Sequence, residues 1–323
     1  MLSVVSLFYW YMSLPRQAKP ITPSFMKQTK SLGYACALFA TLIWSGNFVI
    51  ARGLGDIIPP ISLAALRWST ATFVILPFAA PIIWRERAIL RRHLPHLIIS
   101  ALIGITVFNS FIYIAAHTTD ALNMTLIATT TPAFVVVLAR IFLGEPITRN
   151  RMIGLISAVV GIITLVTRGD YTVLRDLAFR VGDIWMLAAG FLWAVYSIHL
   201  KKKPQEINQY AYLGTTFFIG LLPLIPAALL EQAYYPAWSL TPTAIGAVLY
   251  IGVGASLISY ILWTKAVTIV GPTTSSFIYY SLPAFCGIEA YFILGETATW
   301  AHAIGFVFIF GGILVATHPK LNR

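Results

Sequence analysis

Charged residues are scarce in this chain of 323 residues: only 10% are Asp, Glu, Lys or Arg, whereas 58% are hydrophobic. Soluble globular domains typically carry about 25% charged residues, which cover their surface with groups that water can solvate. The shortage of charge therefore excludes an ordinary soluble globule. It places the chain in a lipid bilayer, as a membrane protein in contact with lipid.

Cysteines and catalytic motifs are missing as well. Cys36 and Cys286 are the two cysteines, and both lie inside apolar segments without CxxC or histidine spacing, so neither a disulfide framework nor a metal site is expected. No Walker A, HExxH or GxSxG motif occurs, and the segments between apolar runs are too short for a catalytic domain. We therefore expect no enzyme, no cofactor and no bound metal.

Basic residues outnumber acidic ones by 22 to 11, but they cluster in short gaps between apolar runs. That pattern is typical of the cytoplasmic loops of membrane proteins and not of a nucleic-acid surface. A helix needs about 20 mostly apolar residues to cross the hydrocarbon core, and the sequence predicts ten such spans. They are expected near residues 33–55, 61–84, 95–116, 119–143, 150–167, 182–200, 210–230, 243–266, 272–294 and 299–317.

The chain also repeats itself once. The stretch TPAFVVVLARIFLGE at 131–145 is echoed by LPAFCGIEAYFILGE at 282–296, so that Pro132 corresponds to Pro283. Subtracting 132 from 283 gives an offset of 151, nearly half of the chain. Each predicted half contains an odd number of spans, so the second copy would enter the membrane from the opposite face. The two halves are therefore expected to form an inverted repeat.

The repeat and the loop charges define the domain organisation. Lys and Arg concentrate after spans two, four and six and near both ends, so the positive-inside rule predicts cytoplasmic termini for a multi-pass protein of the inner (plasma) membrane.

The apolar run near the N-terminus is too short to span and does not resemble a signal peptide, and we hypothesise that translation starts at Met26. The predicted parts are an N-terminal extension (1–32), a first five-helix repeat (33–167), an outer-face linker (168–181), a second five-helix repeat (182–317) and a cytoplasmic tail (318–323).

Two halves of five helices, a Trp near the middle of spans one and six, and the P-A-F to L-G-E block in spans four and nine resemble the drug/metabolite transporter superfamily, specifically EamA-type exporters. The resemblance covers residues 33–317. It implies export or facilitated transport of a small metabolite, often an amino acid, through a central cavity between the halves. It does not name the substrate.

Aromatic and polar side chains inside the predicted spans form the candidate substrate site. Such a lining, apolar with a few polar groups, is typical of ligand pockets, although interfacial belts and core filler are the alternative role for membrane aromatics. Trp44 and Asn47 share a face of span one, and Trp193 and Tyr196 occupy the same repeat positions on span six. Further candidates are Asn109 and Tyr113 in span three, Ser256, Tyr260 and Trp263 in span eight, and Tyr279 and Tyr280 in span nine.

Two ionisable residues and two prolines complete the candidate site. Arg67 would hold a substrate carboxylate, and Glu289 would carry a proton or bind a cation; alternatively the two form an ion pair and neutralise each other, or Arg67 snorkels to the surface. Pro132 and Pro283 each remove a backbone donor inside a span, so we expect broken helices that act as gates. Kinks used only for packing are the alternative.

The sequence thus predicts an all-α transporter of ten helices in two inverted repeats, which moves a small amphipathic metabolite, most simply an amino acid, by alternating access. A multidrug or other small-molecule efflux protein and a non-transporting scaffold or partner subunit are the alternatives. Proton antiport and downhill uniport both stay open. Glycines in spans five and ten would let these helices pack closely within one chain or across a dimer, so a monomer or a homodimer is expected.

Overall fold

The computed structural model describes residues 23–54, 58–119, 121–235, 241–294 and 299–318. Most of the predicted extension and tail lie outside these residues, as does Glu296 of the second L-G-E block. The described regular structure is entirely helical. Its α-helices are α1 (Pro23–Leu54), α2 (Pro60–Arg85), α3 (Arg87–Arg92), α4 (Leu94–Ala101), α5 (Phe108–Thr118), α6 (Ala121–Ala128), α7 (Thr130–Leu143), α8 (Arg149–Val166), α9 (Val181–Lys201), α10 (Gln209–Glu231), α11 (Pro242–Leu249), α12 (Ser259–Val270), α13 (Pro272–Tyr279), α14 (Leu282–Leu294) and α15 (Trp300–Thr317).

Eight helical segments of the described chain are long and apolar enough to cross a bilayer. The other two predicted spans coincide with α1, which begins well before residue 33, and with the pair α13 and α14. An all-helical, multi-pass membrane protein is therefore confirmed. The eight segments are Pro60–Arg85, Leu94–Thr118, Asn123–Leu143, Arg149–Val166, Val181–Lys201, Gln209–Glu231, Pro242–Val270 and Trp300–Thr317.

The fourth and ninth predicted spans are broken next to their prolines. α7 begins two residues before Pro132, and α14 begins one residue before Pro283. Proline is tolerated in the first turn of a helix, because the N–H that it lacks would have no intrahelical partner there. Each proline therefore lies at the start of a new helix and does not bend an existing one. The predicted breaks are confirmed, while their gating role stays a prediction.

Residues at equivalent repeat positions touch each other at two places. Tyr280 donates a hydrogen bond of 2.8 Å from its hydroxyl to the carbonyl oxygen of Thr129, 151 residues earlier in the chain. Ser157 donates one of 2.9 Å to the carbonyl oxygen of Phe308, again 151 residues away. Equivalent residues meet in this way where they lie next to the axis that relates two repeats.

α8 and α15, which are equivalent helices, pack against each other in antiparallel orientation. Gly154 faces Gly312 and Gly161 faces Gly305, so residue numbers rise on one helix as they fall on the other. A Cβ atom added to Gly154 would lie 2.4 Å from the Gly312 carbonyl oxygen, and one added to Gly161 would lie 2.7 Å from that of Gly305. The glycines of the fifth and tenth predicted spans thus pack within one chain.

α2 and α10, another equivalent pair, are connected at both ends by glutamates. Glu231 at the end of α10 accepts hydrogen bonds of 2.9 and 2.7 Å from the backbone N–H groups of Ile61 and Ser62. Glu86, just after α2, accepts one of 2.9 Å from the backbone N–H of Asn208. N–H groups at a helix start have no intrahelical partner and favour negative charge. The two glutamates therefore fix this antiparallel pair reciprocally.

Candidate functional site

A small cavity lies between the two halves, with walls from both. Its volume is about 40 Å³, room for about three water molecules, since each needs at least about 10–15 Å³. The lining consists of Trp44, Asn47, Arg67, Phe108, Asn109, Ile112, Trp193, Tyr260 and Tyr279.

Aromatic rings surround Trp44. Its ring centroid lies 5.4 Å from that of Trp193, 6.1 Å from Tyr260 and 6.0 Å from Tyr279, with interplanar angles of 84°, 85° and 73°. These edge-to-face contacts each contribute about 0.5–1.5 kcal/mol beyond the burial of area. Trp44 and Trp193 are equivalent in the repeat, so the aromatic cluster also lies next to the axis.

Arg67 carries the formal charge of the cavity. Its side chain is 5% exposed, and its guanidinium donates to the Tyr113 hydroxyl at 3.1 Å, to the Ala255 carbonyl oxygen at 3.2 Å and to the Ser256 hydroxyl. These acceptors are all neutral, and no carboxylate of the described residues forms an ion pair with Arg67. A buried cation without a counter-charge favours the binding of an anion.

Two π-helical turns supply backbone acceptors to the site. One, at Leu102–Val107, joins α4 to α5, and the other, at Tyr250–Ile258, joins α11 to α12. In the first turn the carbonyl oxygen of Gly104 accepts hydrogen bonds of 2.7 Å from the Tyr260 hydroxyl and 3.3 Å from the Asn109 amide. π-Helical turns often occur at functional sites.

The second π-helical turn repeats this arrangement with different donors. The carbonyl oxygen of Ala255 accepts a hydrogen bond of 2.8 Å from the Trp44 indole in addition to the one from Arg67. Subtracting 104 from 255 gives 151, so Gly104 and Ala255 are equivalent residues. Equivalent carbonyl groups therefore orient the polar side chains on both sides of the cavity.

Some predicted site residues lie behind the cavity wall or away from it. Tyr196 and Trp263 are not part of the lining: the Tyr196 ring centroid lies 5.3 Å from that of Trp193, and the Trp263 ring contacts both Trp44 and Trp193, at 5.2 and 5.7 Å. Tyr280 is outside the site, because its hydroxyl bonds to Thr129 and its ring belongs to a separate hydrophobic cluster. Tyr113 contacts the cavity only through Arg67.

Phe108 and Ile112 line the cavity although their residue types gave no reason to select them. Both are apolar and carry no chemistry of their own. The sequence signal for Ile112 was its spacing from Asn109, which was already a candidate. Residues three or four apart share a helix face, so Asn109 indicates Ile112, and Ile112 indicates Phe108. A search along the face of each candidate would have included Ile112.

Glu289 does not pair with Arg67, and the expected ion pair is not formed. One carboxylate oxygen of Glu289 accepts a hydrogen bond of 2.8 Å from the Ser45 hydroxyl. The other is buried without a partner. Glu289 therefore faces α1 and is not part of the cavity lining, and its suggested role as a proton carrier stays a prediction.

Asp183, a second buried carboxylate, was not selected from the sequence. It accepts hydrogen bonds from the Thr119 hydroxyl, from the Asn123 amide at 3.0 Å and from the backbone N–H of Arg180 at 2.8 Å. Its acceptors are occupied by groups at the start of α9, just after the end of α5 and in the first turn of α6. The arrangement is that of a structural anchor between these helices.

Several proteins similar to this chain are named as transporters, exporters or efflux pumps. The profile described as the EamA-like transporter family matches residues 31–167 and 180–317. An uncharacterized transporter of Archaeoglobus fulgidus is 28% identical over 85% of this chain and 94% of its own. A probable terminal-alkyne amino-acid exporter of Streptantibioticus cattleyicolor is 26% identical over 89% and 94%, and a probable amino-acid metabolite efflux pump of Salmonella typhimurium is 24% identical over 86% and 92%.

A solved crystal structure has the same fold. It superimposes with a TM-score of 0.71 and covers 89% of this chain and 96% of that chain. The sequences are 20% identical, so the likeness extends to the arrangement of the helices and not to a ligand.

Proposed function

Since the chain belongs to the EamA-like transporter family, we propose that it exports a small amphipathic metabolite, or facilitates its passage, across the inner (plasma) membrane. Amino acids are the leading substrate class. The family expected from the repeat is confirmed, and the similar proteins are named as transporters, not enzymes. The observation that carries the proposal is the aromatic cavity between the halves with a buried Arg67 that has no carboxylate partner among the described residues. Its apolar walls suit a side chain, and a guanidinium suits a carboxylate.

In this proposal ten spans form two inverted repeats with both termini in the cytoplasm. The antiparallel packing of α8 with α15 and of α2 with α10 supports a two-fold axis in the membrane plane. The basic residues after the second, fourth and sixth spans support the orientation. The residues proposed to bind the substrate are those of the cavity lining, backed by Tyr113, Tyr196 and Trp263.

Alternating access would use the two broken spans. The joints near Pro132 and Pro283 allow the half-helices on either side to change orientation. α2 and α10 would move as one body, because Glu86 and Glu231 connect both of their ends. Opening on one side would enlarge the cavity enough to admit substrate, and the pseudo-symmetric motion would open the other side.

Counterflow of radiolabelled amino acids in proteoliposomes, at matched and opposed pH gradients, tests this function. Trp193→Ala and Pro283→Ala should abolish saturable flux, whereas Trp84→Ala, at an indole that is 72% exposed, should retain it. The pH dependence of the flux separates proton coupling from uniport. Flux of lipophilic cations in place of amino acids would indicate multidrug efflux. No flux of either class would contradict amino-acid transport and multidrug efflux, and it would favour transport of another metabolite or a scaffold.

A further inference from the structure

The two asparagines of the cavity lining differ in how their amides are bonded. The Asn109 amide nitrogen donates to the carbonyl oxygens of Gly104 and Ile105, at 3.3 and 3.0 Å. Asn47 is 8% exposed, and its side-chain oxygen is buried without a hydrogen-bond partner. Buried polar atoms are nearly always paired in folded proteins, and an orphan at a cavity wall calls for an explanation. A ligand that carries a hydrogen-bond donor would satisfy this oxygen.

The charge of the cavity restricts what that ligand can be. Arg67 contributes a positive charge, and the described lining contains no Asp or Glu. Glu289 faces Ser45 instead. Such a site attracts a carboxylate and repels a molecule that carries only positive charge.

Asn47 and Arg67 both line the cavity. Asn47 lies three residues after Trp44, so the two side chains share a face of α1. The Trp44 indole and the Arg67 guanidinium both donate to the carbonyl oxygen of Ala255. The Arg67 guanidinium and the indole of Trp44, which precedes Asn47 by one turn, are therefore linked through one backbone group.

We propose that the side-chain oxygen of Asn47 accepts a hydrogen bond from the ammonium group of a zwitterionic α-amino acid whose carboxylate binds Arg67. This inference rests on the proposed function and assigns the recognition of each end of the substrate. A neutral amide binds an ammonium group without adding charge, and the faces of Trp44 and Trp193 provide further attraction for a cation. The site thus selects molecules with both charges and rejects amines that lack a carboxylate.

Three ligands with the same phenylethyl skeleton separate the interaction of Asn47 from that of Arg67. They are phenylalanine, 3-phenylpropionate, which lacks the ammonium group, and phenethylamine, which lacks the carboxylate. Their Kd values would be measured by calorimetry on the intact, detergent-solubilised protein. Asn47→Ala should weaken phenylalanine binding by roughly tenfold to a hundredfold, the usual effect of a hydrogen bond to a charged group, and leave 3-phenylpropionate unchanged. Arg67→Gln should weaken both. Asn47→Asp should admit phenethylamine.

Ser110→Ala is the matched control, because the Ser110 hydroxyl donates to the Thr106 carbonyl oxygen in the preceding π-helical turn and Ser110 does not line the cavity. Asn47→Leu, which has the same branched arrangement of side-chain heavy atoms, replaces Asn47→Ala if the latter does not yield folded protein. Equal weakening of phenylalanine and 3-phenylpropionate by Asn47→Ala, or tight binding of phenethylamine to the wild type, would overturn the inference. So would a wild type that transports other solutes but binds none of the three. The expected binding pattern without flux would leave the inference standing and contradict transport.

Discussion

Neighbouring glycines on α15 should respond in different ways to alanine. A Cβ atom on Gly312 would lie 2.6 Å from the Gly154 carbonyl oxygen and 2.9 Å from the Ala158 backbone nitrogen. A Cβ atom on Gly311 would meet nothing within 4 Å. Both variants replace a glycine of α15 by alanine. The difference in stability between Gly311→Ala and Gly312→Ala therefore isolates the packing of α15 against α8.

The expected difference follows from two opposing contributions. Alanine is favoured over glycine inside a helix by about 0.8–1.0 kcal/mol, and both variants receive this gain. Overpacking costs about 1–3 kcal/mol, and only Gly312→Ala incurs it, because the atoms that it meets are backbone atoms of α8 that cannot rotate away. Gly311→Ala should therefore be at least as stable as the wild type, and Gly312→Ala should be less stable than Gly311→Ala by about 1–3 kcal/mol.

Thermal unfolding of both purified variants in the same detergent measures this difference. One kcal/mol corresponds to a Tm shift of about 2–4 °C in domains of 150–250 residues, so a gap of several degrees is expected. Gly154→Ala should reproduce the loss from the other side of the contact, and the double variant with Gly312→Ala should be non-additive. Equal Tm values for Gly311→Ala and Gly312→Ala would refute the close approach of the two helices.

Three further predictions concern the site and the helix connections. Exchanging the charges in an Arg67→Glu, Glu289→Arg double variant should restore no transport beyond that of the single variants, because the two side chains do not pair; recovery of flux would contradict this. Glu231→Gln should lower the free energy of unfolding by about 0.5–2 kcal/mol, the usual effect of losing a helix cap, while Glu206→Gln, at a half-exposed residue paired with His93, should change the Tm little. Tyr280→Phe removes the hydrogen bond to Thr129 and should change the rate of counterflow without changing the Kd for substrate; an altered Kd with an unaltered rate would place Tyr280 in the site after all.

The positions of the helices could be predicted because the signals for them are local. The second span was expected at 61–84 and α2 covers Pro60–Arg85, since a continuous apolar run of that length has few alternatives to a membrane helix. The breaks in the fourth and ninth spans were expected from proline, which removes a backbone donor. Proline alone does not determine a break, however, because Pro77 and Pro81 lie inside α2, and Pro223 and Pro226 lie inside α10.

The π-helical turns and the exact lining could not be predicted, because both depend on contacts between distant residues. The carbonyl oxygen of Gly104 receives the hydroxyl of Tyr260, 156 residues later in the chain. Tyr279 and Tyr280 looked equivalent in the sequence, but neighbouring residues on a helix point about 100° apart. α13 ends between them, so Tyr279 reaches the cavity and Tyr280 reaches Thr129.

The residues that recognise the substrate are expected at positions where the two repeats differ. The positions that the repeats share form the common architecture of the site. Trp44 matches Trp193, and the carbonyl groups of Gly104 and Ala255 match as well, so these features look alike from either side of the membrane. At the offset of 149 shown by subtracting 44 from 193, however, Asn47 corresponds to Tyr196 and Arg67 to Thr216. A pair of identical repeats would offer the same groups at both ends of the cavity and could not distinguish the two ends of a substrate. An amino acid has a cationic and an anionic end, so its recognition requires this asymmetry, and Asn47 and Arg67 both come from the first half.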